Sequence, residues 1–384
     1  MGGARVIRSA TLVSGGVARA DAWVRMRDGR VEAVGMGDGW RAAAVPGEEV
    51  VDAAALAGEG AVLAPGFVDV HGHGGAGVSY DDGVEAIRAA RAMHTAHGTT
   101  RAVLSLVSAP VPELRARLAV VADVTGTDGV LGAHLEGPFL DPGHRGAHDP
   151  VSLRLPDPGT IDALLEAGRG TVRQATVAPE LPGGLDAVRR LAAAGVAVAV
   201  GHTDADADAA TAAFDAGATL LTHAFNAMPG LGHRAPGPVG AAASDPRVTL
   251  EVIADGVHLD TRVVRIAFAA APDRIALVTD AMAAAGASDG RYRLGSRDVE
   301  VRGGVARLRG ADTIAGSTLT QDAALRIAVA AGVPLPAAIE ALTATPARAV
   351  GRPDLGVLEP GSVADAVLLA PDLHVARVWS SPLP

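Results

Sequence analysis

The chain has 384 residues with a formal net charge of -10, and 49% of the residues are hydrophobic although only 3% are aromatic. The length allows one large domain with an appendage or two ordinary domains, and the negative charge argues against a nucleic-acid partner. The chain has no cysteine and no lysine, which excludes disulfides, thiolate ligands, a Cys nucleophile, Schiff-base catalysis and a carboxylated-lysine metal bridge.

The N-terminal segment, from about residue 5 to residue 51, predicts a small β domain. Its short β-type runs RVIRSATLV, AWVRM and RVEAVG are broken by Gly and Asp at SGG, RDGR and GDG, which is typical of hairpins. The first residues lack the continuous apolar segment of a signal peptide, and no later run approaches the roughly 20 apolar residues of a membrane span. We therefore expect a cytoplasmic protein with no membrane partner.

From residue 63 the sequence changes to apolar strands that alternate with Ala-rich amphipathic segments, the pattern of parallel βα units. The eight candidate strands are VLAPGFVDV, TTRAVLSLV, GVLGAHLE, VRQATVAPE, VAVAVGHT, ATLLTHAF, RVTLEVIAD and RIALVTDA. Eight units predict an α/β fold, a (β/α)8 TIM barrel, whose chemistry lies at the carboxyl ends of the strands. A doubly wound open sheet is the alternative, but no Gly-x-Gly-x-x-Gly turn follows the first strand.

After Asp280 the sequence predicts a β excursion, RYRLGSRDVEVRGGVARLRG, and two helices at roughly residues 319–331 and 336–344. The tail LGVLEPGSVADAVLLAPDLHVARVWSS then returns to short alternating strands. We expect this tail to join the N-terminal strands. Residues 1–62 and 353–384 would then form one β-sandwich domain beside a catalytic barrel of residues 63–352.

Polar side chains stand where predicted strands end. They are His71, His73, Glu136, His202, His223 and Asp280. Taken singly, each has an ordinary explanation as a hydrogen-bonded histidine, a partly exposed glutamate or a helix-capping aspartate. Two histidines separated by a single residue on a strand point to the same side, so both can approach one cation. Together the six form an imidazole and carboxylate set that suits Zn, Fe or Mn and predicts metal-assisted hydrolysis, with Asp280 placed to accept and return a proton.

Longer motifs carry a resemblance to a known family. The segments are APGFVDVHGHGG, HLEGPFL, GAHDP, VAPE, GHTDA, THAFNAM, HRAPGPVGA, ADGVHLD, LVTDAM, AGSTLT and TPARAVG, in this order from about residue 63 to residue 365. In these segments the chain resembles the amidohydrolase superfamily and, within it, the N-acetylglucosamine-6-phosphate deacetylase family. The sequence departs from the family pattern at Ala224, where a larger apolar residue is common, and at Gln321, where Met is usual.

The resemblance implies roles by position. Glu136, His202 and His223 match the main metal ligands, and His71 with His73 match the site of a second metal, with zinc expected and iron as the alternative. Asp280 matches the catalytic acid and base. His148 in GAHDP matches a residue that contacts the substrate and helps to polarise its acetyl carbonyl.

The resemblance also implies a phosphate site formed by Asn226, the backbone N–H of Ala227, His258 and Arg234. In the family this arginine reaches across from a neighbouring subunit, which implies a homodimer. From the residues alone, Arg234 lies in a Pro- and Gly-rich loop where a solvated surface role is the ordinary alternative. The geometry of a guanidinium group nevertheless suits phosphate.

The expected activity is hydrolysis of N-acetyl-D-glucosamine 6-phosphate to D-glucosamine 6-phosphate and acetate, a step of amino-sugar catabolism and cell-wall recycling. One alternative keeps the site but changes the substrate to N-acetylgalactosamine 6-phosphate or another N-acyl compound. Another alternative is a metal-free, non-catalytic scaffold. Such a scaffold would be expected to lack ligands, whereas all of them are present in this sequence.

Overall fold

The structure is a computed structural model that describes residues 3–382, so residues 1–2 and 383–384 of the predicted terminal domain lie outside the described residues. The strands are β1 Arg5–Ser14, β2 Val17–Arg27, β3 Arg30–Met36, β4 Glu49–Asp52, β5 Val62–Pro65, β6 Phe67–Asp69, β7 Gly74–Gly75, β8 Val78–Ser79, β9 Thr99–Val107, β10 Val130–Glu136, β11 Val172–Val177, β12 Ala197–Val200, β13 Ala218–Leu221, β14 Thr249–Val252, β15 Ile275–Leu277, β16 Gly290–Leu294, β17 Arg297–Arg302, β18 Val305–Leu308, β19 Ala366–Leu369 and β20 Val375–Trp379. The helices are α1 Ala53–Ala57, α2 Val84–Ala96, α3 Val111–Val124, α4 Pro158–Gly168, α5 Gly184–Ala193, α6 Ala207–Asp215, α7 Gly237–Ser244, α8 Thr261–Ala270, α9 Gln321–Ala330, α10 Leu335–Leu342 and α11 Ala344–Ala349.

The larger part of the chain forms a barrel of eight parallel strands in the order β15-β14-β13-β12-β11-β10-β9-β6. Each strand lies within one of the eight predicted segments. All nine residues of β9 are buried, as expected for a parallel strand covered by helices outside and by the barrel core inside. The barrel closes where β15 ends beside β6, because the N–H of Asp280 donates to the carbonyl of His71 at 2.8 Å. The predicted TIM barrel is confirmed, and the open doubly wound sheet is wrong.

Aspartate side chains cap the first turns of α4 and α6. The side chain of Asp157 accepts the N–H of Thr160 at 2.9 Å, and Pro158 occupies the first position of α4, where its missing N–H costs nothing. Asp206 caps α6 in the same way by accepting the N–H of Ala209 at 2.8 Å. These caps start both helices on the outer face of the barrel and leave the strand ends free to carry the site.

Strands from both chain ends form a second sheet in the order β20-β19-β5-β1-β2-β3, with β4 also paired to β1. The predicted union of the two termini is therefore confirmed. The predicted first barrel strand divides in two, because residues 62–65 pair with β19 in the terminal sheet and only residues 67–69 pair with β9. Gly66 lies between them, where a Cβ atom would clash with Thr100 Oγ1. The Pro65–Gly66 dipeptide, a common turn signal, stands at this change of sheet, whereas the prediction treated residues 62–70 as one strand. The precise domain boundaries stay a prediction.

A buried ion pair joins the barrel to the terminal sheet. Arg101 on β9 donates from Nε to Asp365 Oδ2 at 2.5 Å and from Nη2 to Asp365 Oδ1 at 2.8 Å. Nη2 also donates to the carbonyl of Ser381 at 2.6 Å. The two charged side chains are only 2% and 5% exposed, so the pair is desolvated and bidentate.

The segment after β15 contains the predicted β excursion and helices. Strands β16, β17 and β18 form a three-stranded antiparallel sheet, and α9 and α10 lie within or beside the two predicted helical segments. The short helix α11 follows α10 and was not predicted. Pro346 lies in the first turn of α11, where proline is tolerated.

Candidate metal centre and active site

A cavity of about 330 Å³ opens at the carboxyl ends of the barrel strands, the place where TIM barrels carry their chemistry. The predicted site residues that line it are His73, Glu136, His148, His202, His223, Asn226, Ala227, His258 and Asp280. His71 lies directly beneath, fully buried. Arg234 lies outside the cavity in an exposed loop. The volume suits a small ligand such as a sugar phosphate.

Five histidine side chains converge on the carboxylate of Glu136 at the end of β10. Nε2 of each lies within 3.3 Å of a carboxylate oxygen; the distances are 3.1 Å for His71, 3.1 Å for His73, 3.3 Å for His148, 3.2 Å for His202 and 3.3 Å for His223. Gly137 follows with a φ of +94°, where a Cβ atom would clash with Ser108 Oγ. This turn ends the strand at the carboxylate and leaves Glu136 at the centre of the cluster.

Three of the strand-end residues have left-handed backbone. The φ angles are +48° for His202, +26° for His223 and +48° for Asp280. Residues other than glycine adopt this region at a cost of about 1–3 kcal/mol each, and such residues cluster at functional sites. The backbone is bent here so that three polar side chains turn from the strand direction towards Glu136.

The carboxylates of the centre are held ionised. Burial alone would raise the pKa of Glu136, but the positive charge of His71 and hydrogen bonds from neighbouring imidazoles outweigh it and hold the pKa well below its usual range. Burial would also raise the pKa of Asp280, yet the hydrogen bond with His73 and the charge of His71 keep it well below its usual value. Both groups are therefore available as anionic ligands or proton acceptors at neutral pH.

The carboxylates also favour positive charge at the His-x-His pair. Burial lowers the pKa of His73, but Asp280 and Glu136 overcome it and raise the pKa to about 9. For His71, Glu136 and Glu251 likewise overcome burial and raise the pKa well above its usual value. Unlike charges within about 4 Å stabilise one another strongly in a buried site. A site that favours cationic groups in this way is electrostatically suited to a metal cation.

The orientation of the ring nitrogens fits metal binding. His71 Nε2 is buried and has no well-aligned hydrogen-bond partner within residues 3–382, although it faces Glu136 and Asp280. Nε2 of His202 and Nε2 of His223 face each other at 3.0 Å, and imidazole nitrogens meet in this way when they share an acceptor, a proton or an ion. His71, His73 and Asp280 form one group able to hold a metal, and Glu136, His148 and His202 form another. This nitrogen and oxygen set suits Zn or Fe.

His148 points the same Nε2 atom at Glu136 as the other histidines, but its hydrogen bonds favour the opposite tautomer from that of a metal ligand. Its Nδ1 accepts the backbone N–H of Ser108 at 3.3 Å and lies 3.0 Å from the Ser108 hydroxyl, which can act as a second donor, so the ring proton belongs on Nε2, which faces Glu136 at 3.3 Å. Burial lowers the pKa of His148 to about 4, and the ring is neutral at neutral pH. A neutral imidazole with Nε2–H directed into the cavity is a hydrogen-bond donor for a substrate oxygen.

Three of the four predicted phosphate-binding residues, Asn226, Ala227 and His258, line the cavity. Asn226 follows His223, and its amide donates to the carbonyls of His223 at 3.2 Å and Ala224 at 3.3 Å. His258 Nδ1 lies 2.7 Å from Asp255 Oδ2. Burial lowers the pKa of His258, but Asp255 outweighs it and raises the pKa above its usual value. A partly cationic imidazole beside amide donors is suited to an anion.

Glu251 is the main residue of the centre that the sequence reading missed. It lies on β14, is fully buried, and places Oε2 2.9 Å from His71 Nδ1. Its signal was present in RVTLEVIAD, where a glutamate interrupts an apolar strand, because a buried carboxylate requires donors or a cation. Ser108, whose N–H and hydroxyl both lie against His148 Nδ1, has no comparable signal, since a serine after a strand is common.

The sequence model of the amidohydrolase family matches residues 62–381, and the chain is a hydrolase that belongs to this family. It is 41% identical over 325 residues to N-acetylgalactosamine-6-phosphate deacetylase of Escherichia coli O157:H7, covering 83% of this chain and 86% of the relative. It is 38% identical over 339 residues to human N-acetylglucosamine-6-phosphate deacetylase, covering 84% and 83%.

Solved structures agree with these relatives. A mutant of N-acetyl-D-glucosamine-6-phosphate deacetylase from Mycobacterium smegmatis, in complex with N-acetyl-D-glucosamine-6-phosphate, superposes with a TM-score of 0.92 at 42% identity and covers 99% of both chains. The enzyme of the same name from Thermotoga maritima superposes with a TM-score of 0.86 at 27% identity and covers 98% of both chains. None of the helices within residues 3–382 is both long and apolar enough to span a membrane.

Proposed function

We propose that the chain hydrolyses the N-acetyl group of N-acetyl-D-glucosamine 6-phosphate to give D-glucosamine 6-phosphate and acetate. The observation that carries the proposal is the convergence of five imidazole Nε2 atoms on the buried carboxylate of Glu136. This cluster shares its cavity with the amide of Asn226 and the imidazole of His258. A hydrolytic centre beside an anion site is the arrangement that a phosphorylated N-acetyl substrate requires.

Glu136, His202 and His223 would hold the essential metal ion, and His71 and His73 would hold a second, with the Glu136 carboxylate within reach of both groups. Zinc fits this donor set, and iron is the alternative. A cation bound here lowers the pKa of water and polarises a carbonyl oxygen. Asp280 Oδ1 lies 3.1 Å from His73 Nε2, so the carboxylate of Asp280 borders the pair of histidines that would hold the second ion.

The side chains of the cavity carry the remaining chemistry. Asp280 accepts a proton from the attacking water and returns it to the nitrogen of the leaving amine. His148 donates a hydrogen bond from Nε2 to the acetyl oxygen as negative charge develops there. Its ring keeps this tautomer because the N–H of Ser108 occupies Nδ1.

Asn226, the N–H of Ala227 and His258 hold the 6-phosphate. Arg234 completes this site from the partner chain of a homodimer, which explains why it lies outside the cavity of its own chain. Arginine suits a bidentate contact with phosphate. We place the protein in the cytoplasm, where phosphorylated sugars are retained.

The galactosamine epimer is the second candidate substrate. The reason is the 41% identity to an enzyme named for N-acetylgalactosamine 6-phosphate. The two sugars differ at one hydroxyl group and share both the acetyl and phosphate groups, so the residues that we place around those two groups suit either sugar.

The test measures kcat/KM of zinc-loaded protein on the 6-phosphates of N-acetylglucosamine and N-acetylgalactosamine, and on both sugars without phosphate. We expect the glucosamine phosphate to be hydrolysed with the highest kcat/KM and the unphosphorylated sugars at least about 100-fold less efficiently, from the loss of charge-assisted hydrogen bonds. A preference for the galactosamine phosphate would transfer the assignment to that epimer. Equal rates with and without phosphate would contradict the phosphate site.

A further inference from the structure

We propose that Glu251 is the positioning residue for the second metal ion. In this role it holds the imidazole of His71 with Nδ1 protonated and Nε2 directed at the ion. This inference rests on the proposed metal centre and adds to it a residue that does not itself contact the ion. The His-x-His pair would then depend for metal binding on Glu251, which lies 180 residues away in the sequence.

The geometry around Glu251 fixes the direction of each hydrogen bond. Oε1 accepts from the Nε2 amide of Gln174 at 2.6 Å. Oε2 accepts the backbone N–H of His223 at 3.3 Å and lies 2.9 Å from His71 Nδ1. Two unambiguous donors thus already point at the carboxylate, which can only accept when ionised. The hydrogen between Glu251 and His71 therefore belongs to Nδ1.

A proton on Nδ1 leaves the lone pair of His71 on Nε2. That atom lies 3.1 Å from Glu136 Oε1 and 3.6 Å from Asp280 Oδ1, at the second metal position. A carboxylate behind a ligating histidine fixes the tautomer and ring orientation and raises the basicity of the ligand. Glu251 therefore determines which nitrogen of His71 faces the ion.

The other histidines of the centre are supported differently. His202 donates from Nδ1 to the carbonyl of His144 at 2.9 Å, a neutral partner. His73 Nδ1 is buried and has no hydrogen-bond partner in the part of the chain that the structure describes. Nε2 of both members of the His-x-His pair faces Glu136, but among the described residues only His71 has a carboxylate at Nδ1. The second ion consequently depends on Glu251 more than the first ion does.

The test compares Glu251→Gln with Asp69→Asn as a matched control. Asp69 is another buried carboxylate near His71, but it accepts the backbone N–H of His71 at 3.2 Å and the hydroxyl of Thr279 at 2.6 Å and does not touch the ring. Purified protein is equilibrated by dialysis against buffered free Zn²⁺, and the bound zinc per chain gives two stepwise dissociation constants. Deacetylase activity is measured on the same samples.

We expect Glu251→Gln to raise the dissociation constant of the second zinc ion by about 10- to 100-fold, while that of the first ion changes by less than about threefold. Asp69→Asn should leave both constants near wild type. In a His71→Asn background, Glu251→Gln should cause no further loss of zinc, because Glu251 acts through His71. Unchanged zinc binding in Glu251→Gln, or an equal loss in Asp69→Asn, would overturn the role of Glu251.

A wild-type chain that binds only one zinc ion would also overturn this inference, whereas activity in that sample would keep the proposed deacetylase. If Glu251→Gln fails to fold, ¹⁵N NMR of histidine-labelled, zinc-loaded wild-type protein decides the question. We expect His71 to carry its proton on Nδ1. A proton on Nε2 would rule the proposal out.

Discussion

Asp280 Oδ1 lies 3.1 Å from His73 Nε2, across the seam at which the first and last barrel strands meet. The two side chains come from opposite ends of the barrel sequence and are both nearly buried. Because the low pKa of Asp280 keeps it ionised at neutral pH, it faces the centre as a proton acceptor. Replacement of Asp280 should therefore lower catalytic activity while the fold is retained.

Asp280→Asn should lower kcat by at least about 100-fold, the usual contribution of a general acid and base. The amide is nearly the same size, so the circular dichroism spectrum and the first zinc ion should be retained. Asp208→Asn, an exposed carboxylate in the first turn of α6, is the control and should keep wild-type turnover. Near-normal activity in Asp280→Asn would remove Asp280 from the mechanism.

Arg234→Ala should raise KM for the phosphorylated substrate by roughly 10- to 100-fold, because a charge-assisted hydrogen bond to phosphate is lost. The low turnover of the unphosphorylated sugar should be unaffected. His233→Ala, the exposed neighbour in the same loop, is the control and should leave KM unchanged.

Mixed dimers test whether Arg234 acts across subunits. An Arg234→Ala chain paired with an Asp280→Asn chain forms one intact site only if each arginine serves the partner. Recovery of activity at substrate concentrations well below the raised KM of Arg234→Ala is therefore expected when the two variant chains are mixed and refolded. Without recovery in dimers shown to be mixed, Arg234 would not act in the partner's site.

The buried His94 predicts a loss of stability in acid. Its ring lies 2.9 Å from the carbonyl of Gly74, and burial lowers its pKa to about 4. Between the unfolded pKa of 6.5 and about pH 4 the unfolded chain binds a proton that the folded chain does not, so stability falls as pH falls. This residue should contribute about 2 kcal/mol of destabilisation between pH 7 and pH 5.

Urea unfolding of His94→Gln at both pH values checks this prediction. The glutamine amide can donate to Gly74 without titrating, so the variant should lose about 2 kcal/mol less than the parent chain. His374→Gln, at an exposed histidine, is the control. An acid response of His94→Gln identical to that of the parent would show that His94 does not titrate as its burial indicates.

The buried Arg101–Asp365 pair predicts a large effect on stability. Arg101→Met should lower the free energy of unfolding by about 3–5 kcal/mol, because Asp365 is left buried and unpaired. Arg101→Met with Asp365→Leu should recover most of the loss. The exposed pair Arg5–Glu49 gives the control, since Arg5→Met should cost no more than about 1 kcal/mol in urea unfolding. Equal losses for the two arginine variants would contradict the account.

The sequence predicted the barrel and the position of the chemistry because both depend on repeated local signals. Apolar strands alternate with amphipathic helices, and polar residues such as Glu136 and His223 stand at strand ends. The Pro65–Gly66 dipeptide marks a break in the run, but it does not indicate that the residues on its two sides belong to different sheets. The role of Glu251 also escaped, because its partner His71 is brought to it only by closure of the barrel. Contacts made through tertiary structure or backbone atoms leave little trace in local residue patterns.

The left-handed backbone at His202, His223 and Asp280 has a consequence for how the centre is assembled. Its conformational cost is met when the barrel folds, so the side chains are preorganised and an incoming ion has little left to order. Metal binding should then lose little conformational entropy. The strand ends of the metal-free and metal-loaded proteins should superpose closely, and removal of the ion should leave a shaped cradle that accepts it again without refolding.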